Sequence, residues 1–273
     1  MTDTWRFLRE SRFGWRALHG YIYGRWPLRY VKALLGLLKL RPPAFLGRWF
    51  ADRYHARVLV HDHARAIVSL DHDVFAPDQE QIIPFPIARD IILKSSPEVV
   101  VFDCSCRLNR PVHCEPTKVC MIIGQPISGM VLEQQPSARR LTQAEALELL
   151  EAEHARGHVH TAWFKDAMLN RFYAICNCCQ CCCVGIQAMV QYGVPVLLSS
   201  GYVAQIDAEK CAHCGDCLAI CAFHALTDGD GDVTRNWENC MGCGACEVKC
   251  STGAITLVRD ERKGTPLDVR ALA

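Results

Sequence analysis

The 273-residue sequence lacks any long apolar run. A membrane-spanning helix needs about 20 mostly apolar residues, whereas the most apolar helical stretch, Val31 to Leu40, is shorter and is broken by Lys32 and Lys39. Phe172 to Ile206 carries no charge, but its six cysteines, Asn177 and Pro195 suit burial in protein, not in lipid. No secretory leader is expected, because Arg6, Arg9, Glu10, Arg12 and Arg16 interrupt the first sixteen residues. The expected compartment is the reducing cytoplasm, where clustered thiols bind metal more often than they pair. The G-x-G-x-x-G, Walker, G-x-S-x-G and H-E-x-x-H patterns are all absent, which removes the usual supports of nicotinamide, nucleotide and hydrolase chemistry. With half its residues hydrophobic and only 13 prolines, the chain is neither disordered nor collagen-like.

The small net charge of +1 conceals an asymmetry. Residues 1–60 hold twelve Arg and Lys against Asp3, Glu10 and Asp52, while residues 61–273 hold 18 basic against 26 acidic residues. Trp5, Phe7, Phe13, Trp15, Tyr21, Tyr23, Trp26 and Tyr30 are interleaved with Arg12, Arg16, Arg25 and Arg29, and Leu28, Val31, Leu35 and Leu38 follow helical spacing. Residues 1–60 are therefore expected to form a basic, aromatic-rich helical extension. It packs on the body of the protein, or docks a partner protein or a membrane surface. No nucleic-acid partner is expected.

What the chain has in abundance is cysteine, 18 in all. Cys211, Cys214, Cys217 and Cys221 give C-x-x-C-x-x-C-x-x-x-C, and Cys240, Cys243, Cys246 and Cys250 repeat the pattern 29 residues on. The same shift superposes Gly215 on Gly244, Ala225 on Ala254 and Thr227 on Thr256, so the segment is an internal duplication. Three thiolates at this spacing wrap one loop around a cluster, each reaching a different iron, with a remote fourth completing the set. Gly215 and Gly244 let the backbone turn tightly enough to aim N–H groups at the sulfurs. Paired zinc sites are the alternative, but four-ligand zinc has no use for a third cysteine at this spacing. Tyr202 to Asp207 and Ala254 to Val258 read as flanking strands, and Asp228-Gly-Asp-Gly-Asp232 as a polar turn that fails the calcium-loop pattern.

These half-motifs resemble the bacterial two-cluster ferredoxins over residues 202–258. In that family the fourth cysteine of each run ligates the other cluster. The resemblance therefore implies one 4Fe–4S cluster on Cys211, Cys214, Cys217 and Cys250, and a second on Cys240, Cys243, Cys246 and Cys221. The proline that usually follows the fourth cysteine is replaced by Ala222 and Ser251. Over its full length the chain resembles ferredoxin-like proteins that carry C-S-C-R and C-N-C-C-x-C-C-C elements ahead of such a module, a resemblance that implies electron transfer and no particular substrate.

Ten further cysteines lie in the middle. Cys104, Cys106, Cys114 and Cys120 follow a strand over Glu98 to Phe102, and Cys176, Cys178, Cys179, Cys181, Cys182 and Cys183 crowd into eight residues. Adjacent thiolates repel one another unless a cation neutralises them. One or two additional 4Fe–4S clusters are thus expected, on Cys104, Cys106, Cys114 and Cys120 with Cys176, Cys179, Cys182 and one of the remaining three; structural zinc is the alternative. His158 and His160 share strand spacing and are candidates for a metal or a proton, as are His61 and His63 at lower weight. Arg107, Arg110 and His113 read as a solvated or partner-facing patch, the alternative being that they bind an anion or screen a cluster's negative charge. Thr142 and Glu145 form a capping-box pattern for a helix ended by Gly157, and Ile87 to Lys94 reads as another helix.

The expected fold class is α+β, with a ferredoxin-like two-cluster module of short hairpins and two short helices joined to a small cysteine-rich α/β domain. The expected divisions are the extension at 1–60, the cysteine-rich domain at 61–200, the module at 201–258 and a tail at 259–273. The expected function is electron transfer with a redox partner protein, the module's acidic surface favouring a basic partner face. An iron–sulfur reductase working at a middle-domain cluster and a redox or metal sensor are the competing classes.

Overall fold

The computed structural model describes residues 2–229 and 232–272. Its centre is a seven-stranded sheet in the order Arg139–Leu141, Val99–Asp103, Lys118–Ile123, Arg171–Cys178, Val159–Lys165, Tyr54–Leu59 and Leu197–Leu198. Every pairing is antiparallel except the last, which is parallel. The central strands are almost continuously apolar because both faces are covered. Ala56, Val58, Val100, Ile122 and Ala174 face one core, and Leu59, Val99, Met121, Ile123, Phe164 and Ile175 face the other. The first core is closed by the helices Pro27–Lys39, Ile127–Gln134 and Val184–Val190. The second is closed by His61–Val68 and Gln143–Ala155.

The capping box is present. Thr142 Oγ1 accepts from Glu145 N at 3.2 Å, the Glu145 carboxylate accepts from Thr142 N at 2.8 Å, and Gly157 ends the turn at φ +79. Three expectations need correction. Ile91–Leu93 is a strand paired with Val74–Ala76, not part of a helix, in keeping with its β-branched isoleucines. Residues 54–59 belong to the sheet, so a division at 60 cuts through the middle domain. The expected tail packs on the body through its described residues, since Leu267 and Val269 are buried in the second core and Lys263 O accepts from buried Arg57.

Residues 3–51 form four helices. Phe7 and Leu38 reach the core, while Trp15, Phe45 and Trp49 remain exposed among the basic residues. In the C-terminal module, Tyr202–Ile206 pairs antiparallel with Ile255–Arg259. A hairpin of Leu226–Gly229 with Asp232–Arg235 lies between the two halves; the Asp230-Gly231 tip of the expected turn lies outside the described residues. The module sits against the middle domain. Ser200 N donates to Met241 O at 3.0 Å and Lys249 Nζ to Ala155 O at 2.7 Å.

Candidate metal centres

Each half of the duplication builds the same local device. Gly215 and Gly244 stand at φ +80 and +81, a left-handed conformation that costs a residue with a Cβ. They open the short helices Asp216–Ile220 and Ala245–Lys249. The turn aims amides at sulfur: Leu218 N–H reaches Cys217 and Ala245 N–H reaches Cys243. Ala225 N donates to Cys221 Sγ at 3.2 Å and Ala204 N to Cys240 Sγ at 3.4 Å.

The chain then crosses over. Cys211, Cys214, Cys217 and Cys250 line one cavity, and Cys221, Cys240, Cys243 and Cys246 line another. Burial pushes the Cys243 thiol up to about 12, so its thiolate forms at neutral pH only beside a cation. Four convergent thiols with amide donors aimed at them suit an anionic cluster.

The middle domain brings its ten cysteines into two adjoining sets. Cys120 and Cys176 sit on neighbouring strands, next to the paired Met121 and Ile175. Cys104 precedes the Ser105–Leu108 turn and Cys183 caps the Val184–Val190 helix. Thiol contacts run from Cys176 to Cys120, Cys104, Cys106, Cys183 and Cys178 in turn. These six, with Cys179 of the second set at the edge, line a cavity of about 90 Å³, several times the ~10–15 Å³ that one water needs. Its remaining walls are mostly apolar and aromatic, among them Trp163, Leu34 and Leu38, with the Pro27–Lys39 helix as one side. The second set is Cys114, Cys179, Cys181 and Cys182, whose sulfurs all lie within 4.8 Å of one another. Cys114 Sγ is 3.0 Å from Cys181 Sγ. Sulfurs around one tetrahedral zinc or iron ion are about 3.8 Å apart, while a cubane holds each sulfur on a different iron.

The expected pool of middle-domain ligands is divided between the two sets. Cys104, Cys106, Cys120 and Cys176 belong to the six-thiol set, and Cys114, Cys179 and Cys182 to the compact one. Cys178, Cys181 and Cys183, not singled out individually from the sequence, each join a set. The alternation of the Arg171–Cys178 strand and the turn after it decide this, and neither is visible in cysteine spacing.

Arg107 is buried, not part of a solvated patch. Its guanidinium donates to Glu153 Oε2 at 2.8 Å and to Asn177 O at 3.3 Å, and also to Pro116 O. Burial works against its charge, but the Glu153 carboxylate outweighs that and holds its pKa above the ordinary value. Cys179 and Cys104, one from each set, add to the effect. Arg107 is thus a fixed positive charge between the two sets. Of the remaining candidates, His113 pairs with Glu115 at 3.3 Å, His63 with Asp268 at 3.6 Å and His158 with Glu153 at 2.7 Å. His160 is separate from His158 and bonds Asn177.

A duplicated loop–helix unit with crossed thiol sets defines a two-centre iron–sulfur module. Two family models, each described as a 4Fe-4S binding domain, match residues 203–226 and 233–256. Pyruvate synthase subunit PorD of Methanocaldococcus jannaschii is 36% identical over 58 residues, covering 21% of this chain and 67% of that protein. Ferredoxin-3 of Rhodobacter capsulatus is 35% identical over 81 residues, covering 20% and 79%. Formate hydrogenlyase subunit 2 of Escherichia coli is 33% identical over 107 residues, covering 36% of this chain, which spans about half, 48%, of that subunit. The chain belongs to the 4Fe-4S ferredoxin family through its C-terminal module, and is an iron–sulfur electron carrier with two 4Fe–4S clusters. No helix among the described residues is long and apolar enough to cross a membrane.

Proposed function

We propose that the module's two clusters form the outer part of an electron route that continues into the middle domain. Cys211, Cys214, Cys217 and Cys250 would hold the outer cluster, and Cys221, Cys240, Cys243 and Cys246 the inner one. A third would sit in the six-thiol cavity. A bound cluster supplies one-electron transfer; the chain's own groups fix where it sits and how much charge it carries. The observation that carries this reading is the join between module and middle domain. Gln180, within the run of six cysteines, donates to Cys221 O at 3.5 Å, and Cys243 packs against the same core as Cys178 and Cys183. Exposed Cys214 on the outer loop is the natural point of exchange with a partner protein.

Relatives named as subunits of pyruvate synthase and formate hydrogenlyase support a role as the electron-transfer subunit of a larger oxidoreductase. The acidic module would then meet a basic partner face, and the basic helices of residues 3–51 would meet a second, acidic one. The compactness of the Cys114 set favours a different occupant there, a single tetrahedral zinc or iron ion. Stepwise anaerobic reduction, followed by low-temperature spin resonance, tests the route. Three interacting reducible centres are expected; two centres with no middle-domain signal would overturn it.

A further inference from the structure

Three imidazoles that belong to none of the thiol sets meet at the seam between the middle domain and the module. His61 opens the His61–Val68 helix, His154 lies in the last turn of Gln143–Ala155, and His160 is on the Val159–Lys165 strand. One ring nitrogen of each lies within 4.8 Å of the others. The surrounding hydrogen bonds fix two of the tautomers. Asn177 Nδ2 donates to Val119 O at 2.8 Å, which turns Oδ1 toward His160 Nδ1 at 2.6 Å. His160 Nδ1 therefore carries the proton, and Nε2 presents a lone pair. His61 Nε2 lies 3.0 Å from Glu151 Oε2 and donates to it, so Nδ1 also presents a lone pair.

Those two lone pairs face one another at 3.1 Å. The arrangement is repulsive unless a cation stands beside both. A third imidazole completes the set: His154 stacks on His61 with ring centroids 4.1 Å apart, and its side chain makes no hydrogen bond among the described residues. A proton shared by His61 and His160 would leave that third ring without a role. Two imidazole nitrogens bound to one tetrahedral zinc are about 3.3 Å apart, close to the separation here.

We propose that His61 Nδ1, His160 Nε2 and His154 bind one divalent first-row metal ion of the zinc type, with Glu151 and Asn177 holding His61 and His160 in their ligating orientations. Metal-bound histidines typically donate their second nitrogen to a carboxylate or carbonyl in this way. His61 and His154 are partly exposed, so water has access to the remaining position. His154 is also beside Gly244, where an added Cβ would lie 3.9 Å from its Cε1. The ion would thus join the two helices and the strand directly against the second cysteine loop. The site stands whether or not the middle domain carries a cluster.

The test uses the full chain, anaerobically loaded with iron and sulfide, with cobalt(II) as the spectroscopic stand-in for zinc. Wild-type protein should take up one cobalt whose visible bands show nitrogen and oxygen ligands, distinct from any cobalt in the compact Cys114 set, which thiolate charge transfer would mark. His154→Ala and His61→Ala should weaken that uptake by more than about 100-fold with iron content unchanged, and Glu151→Gln by about 10- to 100-fold. Iron content reports whether a variant has folded. If His154→Ala loses iron, the exposed Glu151→Gln change decides. Cobalt that shows only thiolate charge transfer, or that binds the folded histidine variants or Glu151→Gln as tightly as wild type, would overturn the site.

Discussion

In the C-terminal module each set of four thiols takes three from one seven-residue loop and the fourth from the other half of the duplication. The six-thiol cavity of the middle domain instead draws on residues from 104 to 183, held by two neighbouring strands, a short turn and a helix cap. The module is a local device, since spacing and one left-handed glycine shape each loop from neighbouring residues alone. The middle centre is a product of topology, and its thiols converge only once the antiparallel register is set. Charge is handled differently too. The module neutralises sulfur with backbone amides, whereas the middle domain adds a buried guanidinium, Arg107, between its two sets.

The largest expected effect separates the two regions outright. Cys104→Ser with Cys120→Ser should remove about four irons per chain and leave the module's two reduced-cluster signals intact by spin resonance. Loss of the module signals as well would show that the two regions do not load independently. Arg107→Met comes next. It takes one partner from buried Glu153, which keeps Arg156 and His158, so a loss of about 3 kcal/mol is expected in anaerobic denaturant titration. An unchanged midpoint would mean that the guanidinium is not needed between the thiol sets.

A pH test bears on the aromatic wall of the cavity. Lys165 lies over the rings of Tyr54, Tyr23 and Tyr30, and burial lowers its pKa to about 8. Between about pH 8 and the unfolded value of 10.5, the unfolded chain keeps the Lys165 proton that the folded chain has lost, so the contribution of Lys165 to stability rises with pH through that window. The difference between wild type and Lys165→Met should shift by up to about 3 kcal/mol from pH 8 to 10.5. A constant difference would contradict the buried ammonium. The smallest effect tests the duplication itself. Gly215→Ala and Gly244→Ala should each cost about 1–2 kcal/mol, because both positions have positive φ and neither added Cβ meets a neighbour closer than 3.5 Å. Unequal penalties would mean that the two halves no longer share one geometry.

The same contrast governs what was legible in the sequence. The 29-residue repeat, the glycines and the Thr142–Glu145 cap act within a few residues, and so could be read directly. The seven-stranded sheet could not, because its order joins strands as distant as Tyr54–Leu59 and Val159–Lys165. Ile91–Leu93 illustrates the limit: its residues fit either period, and pairing with Val74–Ala76 decides. A charge-screening role for Arg107 is one of two readings the sequence allows, but its burial is not visible there because its partner, Glu153, is 46 residues away. His61 and His160 were visible as candidates, but His154 was not, since only the packing of helix against strand brings the three rings together.

Counting iron, acid-labile sulfide and zinc in protein purified without oxygen tests the central claim most directly. Three clusters, one tetrahedral ion at the compact thiol set and one zinc-type ion at the three histidines require about twelve sulfides per chain, about twelve or thirteen irons, and up to about two zincs. About eight irons and eight sulfides, all accounted for by the module, would show that the middle domain carries no cluster.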